Sequence, residues 1–187
     1  MSVIQQNTIS TNSITEATSA NGVSIDGLKV KDYSLMYGSN IGLTVSSDGY
    51  VNNPNIPYFF GKQNVGHTNV AGQHDAIKFT GNINNNAIVQ NSTTGKCSIP
   101  VSGKYMVNWT VGNQGSGNNG NYVGIYIFKN TGSEVGAWSD STGYDHTAHC
   151  HIILDLSTSD TVAFTYRTDH GAPPNNELTM ASIYLIG

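Results

Sequence analysis

Residues 94–111 read TGKCSIPVSGKYMVNWTV, and from Gly103 onward this stretch alternates between two kinds of side chain. Large apolar residues stand at every second position: Tyr105, Val107, Trp109 and Val111. Met106, Asn108 and Thr110 come between them. Alternation with a period of two is the signature of a β-strand that buries one face. The stretch therefore predicts a central strand over residues 103–111.

The same alternation recurs on both sides of this strand. It covers residues 122–128, 148–156 and 162–166, and shorter strand-like runs occupy residues 58–60, 76–79, 96–99 and 179–186. At least eight strands within about 130 residues, separated by Gly- and Asn-rich connections, predict a β-sandwich of the jelly-roll type.

Composition favours the same class. Gly, Asn, Ser and Thr make up 80 of the 187 residues, and all four are poor helix formers, so an all-α fold is excluded. Charged residues are 11% and hydrophobic residues 37% of the chain, which argues against disorder.

Charge and hydropathy exclude several kinds of partner. The net charge is −4, with Arg167 as the single arginine, so we expect no nucleic-acid partner. No apolar run is long enough for a membrane helix, so we expect no membrane insertion. The amino end lacks the features of a secretion signal. Cys97 and Cys150 are too few for a disulfide scaffold and are expected to be small buried residues, with their pairing left open.

Residues 1–55 differ from residues 56–187. The first part is rich in Ser, Thr and Asn, and its apolar residues Val23, Ile25, Leu28 and Val30 flank Asp26-Gly27. This pattern predicts a hairpin or a strand of an intertwined shaft, which would order by pairing with copies of itself or by lying on another protein. We expect residues 1–55 to be an anchoring arm and residues 56–187 to be a separate knob.

Some predicted strands are apolar on both faces. Tyr126, Phe128 and Tyr184 lie on the second faces of their strands, and exposed aromatic patches mark interfaces. These three residues are therefore the predicted contacts of a homo-oligomer.

The order of short motifs resembles that of C1q-like domains. Three stretches of this chain are similar to the central signature of that family: Ala76–Phe79, the Asn-rich residues 82–86 and Thr94–Trp109. Further likenesses follow in the family's order at Tyr126–Asn130, Ile153–Val162 and Ser182–Ile186, and Tyr58–Phe60 stands where the first strand should be. The chain departs from the pattern at Ser159, where the turn usually has Gly, and at Cys97, where Phe is usual.

This resemblance implies a ten-stranded C1q/TNF-like jelly roll that forms a homotrimer, with its first and last strands adjacent near the threefold axis. No collagen-like repeat precedes residue 56. Instead, residues 14–32 resemble a connector found in structural proteins of tailed bacteriophages and other viral particles, which implies a virion setting.

Two groups of residues suggest metal ligands. His149 and His151 stand two apart on a predicted strand and can share a zinc or nickel ion, or three copies of one histidine can meet at a threefold axis. The alternative is that they are polar residues of an outer face or a subunit contact. Asp140, Asp145, Asp169 and Glu177 lie in predicted loops and offer oxygen ligands of the kind that calcium prefers.

Catalytic motifs are missing from the sequence. It contains no Gly-x-Ser-x-Gly, no phosphate-binding loop and no His-Glu-x-x-His, so we expect no enzyme. The predicted loops, with Tyr122, Trp138, Tyr144, His170 and Asn175, suit recognition of a host-surface glycan, unless they are solvated turns.

Together these patterns favour a non-enzymatic trimeric virion structural protein, either a capsid decoration or head fibre or a tail-fibre knob, whose partners are the capsid or tail proteins of the same particle. The alternative is a soluble carbohydrate-binding C1q-like lectin.

Overall fold

The computed structural model describes residues 23–25, 28–31, 33–37, 40–63, 75–80, 83–114, 121–141, 145–168 and 174–187. These residues form sixteen strands in antiparallel sheets and no helix, which confirms the predicted all-β class. None of the described segments is a helix able to cross a membrane. The chain divides into two compact units, Met1–Asn55 and Ile56–Gly187.

The described part of the first unit is a five-stranded meander, here called the N-terminal sheet. Its strands are β1 (Val23–Ile25), β2 (Leu28–Lys31), β3 (Ser34–Tyr37), β4 (Asn40–Val45) and β5 (Val51–Asn52), and they pair in chain order. Of the two arrangements predicted for residues 23–30, the structure has the hairpin, with Ile25 opposite Leu28.

The second unit contains two sheets. Its strands are β6 (Tyr58–Lys62), β7 (Asp75–Ala76), β8 (Ile83–Asn86), β9 (Val89–Gln90), β10 (Cys97–Ser98), β11 (Gly103–Gln114), β12 (Asn121–Lys129), β13 (Gly132–Ser141), β14 (Asp145–Leu156), β15 (Thr161–Thr168) and β16 (Pro174–Leu185). Sheet I has the order β14-β11-β16-β6-β8. Sheet II has the order β13-β12-β15-β10-β9, and β7 also pairs with β15.

Sheets I and II pack face to face around an aromatic core. Trp109 of sheet I and Phe164 of sheet II lie with ring centroids 5.5 Å apart, and Phe79 meets both rings edge-on. The indole Nε1 of Trp109 donates a hydrogen bond of 2.9 Å to the backbone oxygen of Thr165, so the buried N–H is satisfied across the two layers. The four apolar residues that alternate in the opening stretch are all buried, as predicted.

The strands are longer than the sequence predicts at one end of the second unit. Strand β11 continues to Gln114 and β16 begins at Pro174, and β13, which the sequence did not predict, runs to Ser141, although these segments are rich in Gly, Asn and Ser. Each extension has an antiparallel partner: Gln114 pairs with Asp145, Asn121 with Ser141 and Asn113 with Pro174. Backbone pairing with a neighbour therefore overrides the weak strand propensity of these residues.

The quoted Gly95 occupies a turn that requires glycine. Its φ is +73°, and a Cβ there would lie 2.9 Å from the backbone oxygen of Ile77. The side chain of Gln90 holds the same region by donating to the backbone oxygens of Ile77 and Gly95, each at 2.9 Å. The turn therefore fixes the segment of Ile77, whose side chain is fully buried.

A second polar network joins two distant turns. The Asp160 carboxylate accepts hydrogen bonds from Asn130 Nδ2 and from the backbone N–H of Ser157, both at 2.8 Å, and it lies 3.3 Å from Lys129 Nζ. Asn130, at φ 56°, in turn accepts a hydrogen bond from the backbone N–H of Thr161. These hydrogen bonds, together with the lysine, hold the pKa of Asp160 below its ordinary value.

Candidate interaction surface

The outward face of sheet I carries an apolar row that crosses four strands. Strand register places Ile153, Met106, Tyr184 and Tyr58 side by side, with Asn86 at the end of the row. Neighbours in such a row lie on the same face of a sheet, about 5 Å apart. Ile153 is 55% exposed, and Met106 and Tyr184 are each 38% exposed. The row is therefore a stripe of large apolar side chains open to solvent.

Two further rows lie beside the apolar row. The second contains His151, Asn108, Ser182, Phe60 and Asn84. The third contains His149, Thr110, Met180 and Lys62. Asn108 Nδ2 donates to Ser182 Oγ at 3.0 Å, and the Tyr58 hydroxyl donates to Asn84 Oδ1 at 2.9 Å. The polar side chains of this face are thus partly paired with one another.

Fixed charges stand at the margins of this face. Lys104 and Asp155, which lie opposite each other beyond the apolar row, form an exposed ion pair of 2.8 Å. Within the three described rows, Lys62 is the one residue with a fixed charge, at the far side of the third row. A nearly uncharged, apolar centre with charges at its rim is typical of a protein interface.

The three aromatic residues predicted as oligomer contacts do not share one surface. Tyr184 lies on the outward face of sheet I, whereas Tyr126 and Phe128 lie on β12, where Ile125 and Ile127 face the core. Tyr126 and Phe128 are therefore on the outward face of sheet II, on the opposite side of the sandwich. The sequence shows that each residue faces outward from its strand, but it does not show which sheet receives the strand.

Tyr126 and Phe128 obtain their half-burial within the chain. Tyr126 pairs with Gly136, and a Cβ at Gly136 would lie 2.5 Å from Cδ1 of the tyrosine ring, so the ring covers the glycine backbone. The rings of Tyr126 and Phe128 pack edge to face with centroids 6.3 Å apart. A second subunit is not needed to explain why these two aromatics lie on this strand.

The residues predicted to anchor the arm lie in the N-terminal sheet. Val23 pairs with Val30, and the same row continues through Leu35 to Leu43. Ile25 pairs with Leu28 in the adjacent row. The side chains of the four predicted anchors are outside the described part, but Leu43 at the end of the row is 37% exposed. Register thus aligns the predicted anchors with further apolar positions that the sequence pattern had not singled out.

The predicted glycan-binding residues fall in strands or outside the described residues. Tyr122, Trp138 and Asn175 belong to β12, β13 and β16, not to loops, and nothing is described of their side chains. Tyr144 and His170 lie outside the described residues. The strand ends that flank residues 115–120, 142–144 and 169–173 are register neighbours, so these three connections start and finish at one end of the sandwich.

Of the predicted metal ligands, the structure brings together one pair. His149 and His151 are both exposed on the outward face of sheet I, with ring centroids 5.5 Å apart. Asp140, Asp145 and Glu177 belong to strands β13, β14 and β16, and Asp169 lies outside the described residues. In the described part of the chain, no three His, Cys, Asp or Glu side chains are grouped closely enough to hold a metal ion.

Both cysteines are buried and free, which settles the question of their pairing. Burial raises the pKa of Cys97 to about 12 and that of Cys150 to about 11. A thiol is nucleophilic and binds metals as its thiolate, so burial makes both side chains chemically inert.

The sequence alone does not reveal that the residues of the apolar row form one surface. Alternation shows that Met106 faces away from Trp109, but it does not show that Ile153 and Tyr184 stand on either side of Met106. That knowledge requires the pairing of β11 with both β14 and β16, which joins segments more than 40 residues apart.

Comparison with models of protein families and with curated proteins found no match for this chain.

Proposed function

We propose that this chain is a non-enzymatic structural protein of a virion, in which residues 56–187 form a C1q/TNF-like jelly-roll knob and residues 1–55 attach the knob to the particle. The knob is a homotrimer displayed on the surface, as a capsid decoration, a head fibre or the tip of a tail fibre. Its role is adhesion to a host surface or decoration of the shell.

The strand order supports the jelly roll. Apart from β7, the described residues of the second unit form two sheets of five strands, which is the ten-strand count that the resemblance implies. From β13 onward, successive strands alternate between sheet II and sheet I, as they do when a chain crosses repeatedly over the top of a sandwich. The first strand of sheet I, β6, pairs with the last, β16, and this is the adjacency that the family resemblance implies.

The polar network at Asp160 supports the proposed kinship with C1q-like domains. Two of the motifs quoted for the resemblance are Tyr126–Asn130 and Ile153–Val162, and they lie about 30 residues apart. In the structure, Lys129 and Asn130 of the first motif contact Asp160 of the second directly. Two short motifs that occurred in this order by chance would not be expected to contact each other in the folded chain. This contact is therefore the observation that favours a shared fold over coincidence.

The apolar row of sheet I is the proposed trimer surface. Its exposed side chains lie on β14, β11 and β16, and it continues to the half-buried Tyr58 of β6, so the row includes both the first and the last strand of the sheet. Burying a large apolar side chain contributes about 1.5–3 kcal/mol, and three copies that meet around one axis would each bury Ile153, Met106 and Tyr184. The predicted contacts at Tyr126 and Phe128 are not part of this proposal.

The N-terminal sheet is the proposed attachment element. A single-layer sheet with apolar residues in register must cover one face with another layer to be stable. In this account the row that runs from Val23 to Leu43 packs on a capsid or tail protein of the same particle.

A pair of substitutions on β4 tests attachment. Leu43 pairs with Leu35 and Ile41 pairs with Met36, so the two residues lie on opposite faces of the N-terminal sheet, and each is 37% exposed. We expect Leu43→Asp to remove the protein from particles purified on a density gradient, and Ile41→Asp to leave incorporation unchanged. A wild-type chain that stays in the particle-free fractions would contradict the proposed function.

A soluble glycan-binding lectin is the second candidate. The strand ends that flank residues 115–120, 142–144 and 169–173 lie at one end of the sandwich, and this favours it, because recognition loops commonly start from one end of a rigid scaffold. A glycan array probed with the full chain separates the two candidates. The lectin predicts sugar binding by a protein that is not found on particles, whereas the structural protein sediments with particles whether or not it binds sugar.

A further inference from the structure

The outward face of sheet I holds two histidines in a geometry suited to chelation. His149 and His151 are two residues apart on β14, so their side chains project from the same face of the strand. Their ring centroids lie 5.5 Å apart with the ring planes at 45° to each other. Both residues are exposed in the single chain, and they stand on the edge strand of sheet I, beside the apolar row and not within it, so a hydrated ion can reach both rings without any movement of the core.

We propose that this pair binds a late first-row divalent metal ion, with Cu²⁺ preferred, through one ring nitrogen from each imidazole. Imidazole nitrogen is a common ligand for copper, nickel and zinc, whereas magnesium and calcium prefer oxygen. Two imidazoles supply two positions of the coordination shell, and water supplies the others. The Irving–Williams order gives affinity for Cu²⁺ above that for Ni²⁺ and Zn²⁺.

The surroundings of the pair are compatible with a cation. The residues beside the two histidines in their rows are Asn108 and Thr110, and those beside them along β14 are Thr147 and Ile153. None of these four side chains carries a charge, so none of them repels the ion. Lys62 lies three strands away in the third row, at about 14 Å for a strand spacing of about 4.8 Å.

The test is a titration of the full chain, without a histidine tag, with Cu²⁺, Ni²⁺, Zn²⁺ and Mg²⁺ in a calorimeter. We expect one Cu²⁺ ion to bind per chain, Ni²⁺ and Zn²⁺ to bind with lower affinity, and Mg²⁺ not to bind. His149→Ala and His151→Ala should each lower the Cu²⁺ affinity by at least about tenfold. Removing a residue that only hydrogen-bonds a metal ligand already lowers metal affinity by about tenfold or more, and removing the ligand itself should cost at least as much. His146→Ala, which removes a histidine of opposite parity on the same strand, is the matched control and should bind as the wild type does.

A second measurement reports the ligands directly. The electron paramagnetic resonance spectrum of the Cu²⁺ complex should show two coordinated nitrogens in the wild type and one in either single variant. Since both side chains are exposed, the variants should melt at the wild-type temperature, so a loss of binding cannot be ascribed to unfolding. Wild-type affinity in both single variants, or an equal loss in His146→Ala, would overturn the proposal.

Discussion

The ionised carboxylate of Asp160 stabilises the fold through its hydrogen bonds. Its carboxylate is held by Asn130, Ser157 and Lys129, and its pKa lies below the ordinary value of 3.8. A group with a lowered pKa in the folded state stabilises the protein above its unfolded pKa, and that contribution is lost as the pH falls through the folded pKa. We therefore expect the wild type to lose stability as the pH falls below about 4.

The matching variant is Asp160→Asn, which cannot carry the charge. It should melt at a lower temperature than the wild type at pH 7, and the difference should narrow steadily as the pH is lowered toward 2. Thermal denaturation followed by circular dichroism across this range measures both effects. A difference in melting temperature between the two proteins that stays constant from pH 7 to pH 2 would show that the charge of Asp160 contributes nothing to stability.

The two cysteines give a second residue-scale prediction. Raising a thiol pKa from 9.0 to about 12, as burial does at Cys97, lowers the thiolate fraction at pH 8 by about a thousandfold. We expect a thiolate-specific reagent to leave the native protein unlabelled over hours and to label both cysteines per chain in guanidinium chloride. Stoichiometric labelling of the native protein within minutes would mean that the thiols are not buried.

At the scale of elements, the turn between β9 and β10 depends on Gly95. An alanine there must adopt a positive φ, and its Cβ must also displace the backbone oxygen of Ile77. We expect Gly95→Ala to lower the free energy of unfolding by about 2 kcal/mol, measured by chemical denaturation. Gly132→Ala is the control, because the nearest atom to a Cβ at that position is 3.8 Å away; its effect should stay within about 0.5 kcal/mol. Equal effects of the two substitutions would contradict this reading of the turn.

Strands could be predicted from the sequence where alternation is strong, and their partners could not. The pattern around Trp109 and that of residues 148–156 correspond to β11 and β14, and the hairpin about Asp26-Gly27 was one of two predicted arrangements. The extensions of β11 and β16 and the whole of β13 were missed because Gly- and Asn-rich sequences form strands only when a neighbour supplies the hydrogen bonds. Strands β3, β4 and β5 were also not predicted.

The candidate surface shows the same limit more sharply. Alternation identified Tyr184, Tyr126 and Phe128 as outward-facing, but strand order places the first on sheet I and the other two on sheet II. The facing direction of a residue is a local property of its strand, and alternation reveals it. Which outward-facing residues become neighbours on one surface depends on the pairing of strands that are far apart in the sequence. No local sequence pattern shows that pairing.

At the scale of the whole molecule, the proposed subunit contact lies on the outward face of sheet I. A charge introduced in the middle of the apolar row would be brought together with its copies at the axis, where like charges without water repel strongly. We expect Tyr184→Asp to give a folded monomer at micromolar concentration. Val89→Asp, on exposed strand β9 of sheet II, is the matched control and should leave the assembly intact. Dissociation by Val89→Asp with retention of the assembly in Tyr184→Asp would place the contact on the other sheet.

The central claim, that three copies of the chain assemble through sheet I, is tested most directly by the mass of the full wild-type chain in solution. Sedimentation equilibrium at micromolar concentration should give about 60 kDa, three times the chain mass of 19.9 kDa. A mass of 19.9 kDa at the same concentration would contradict the account, because the exposed apolar row would then have no partner copy to cover it.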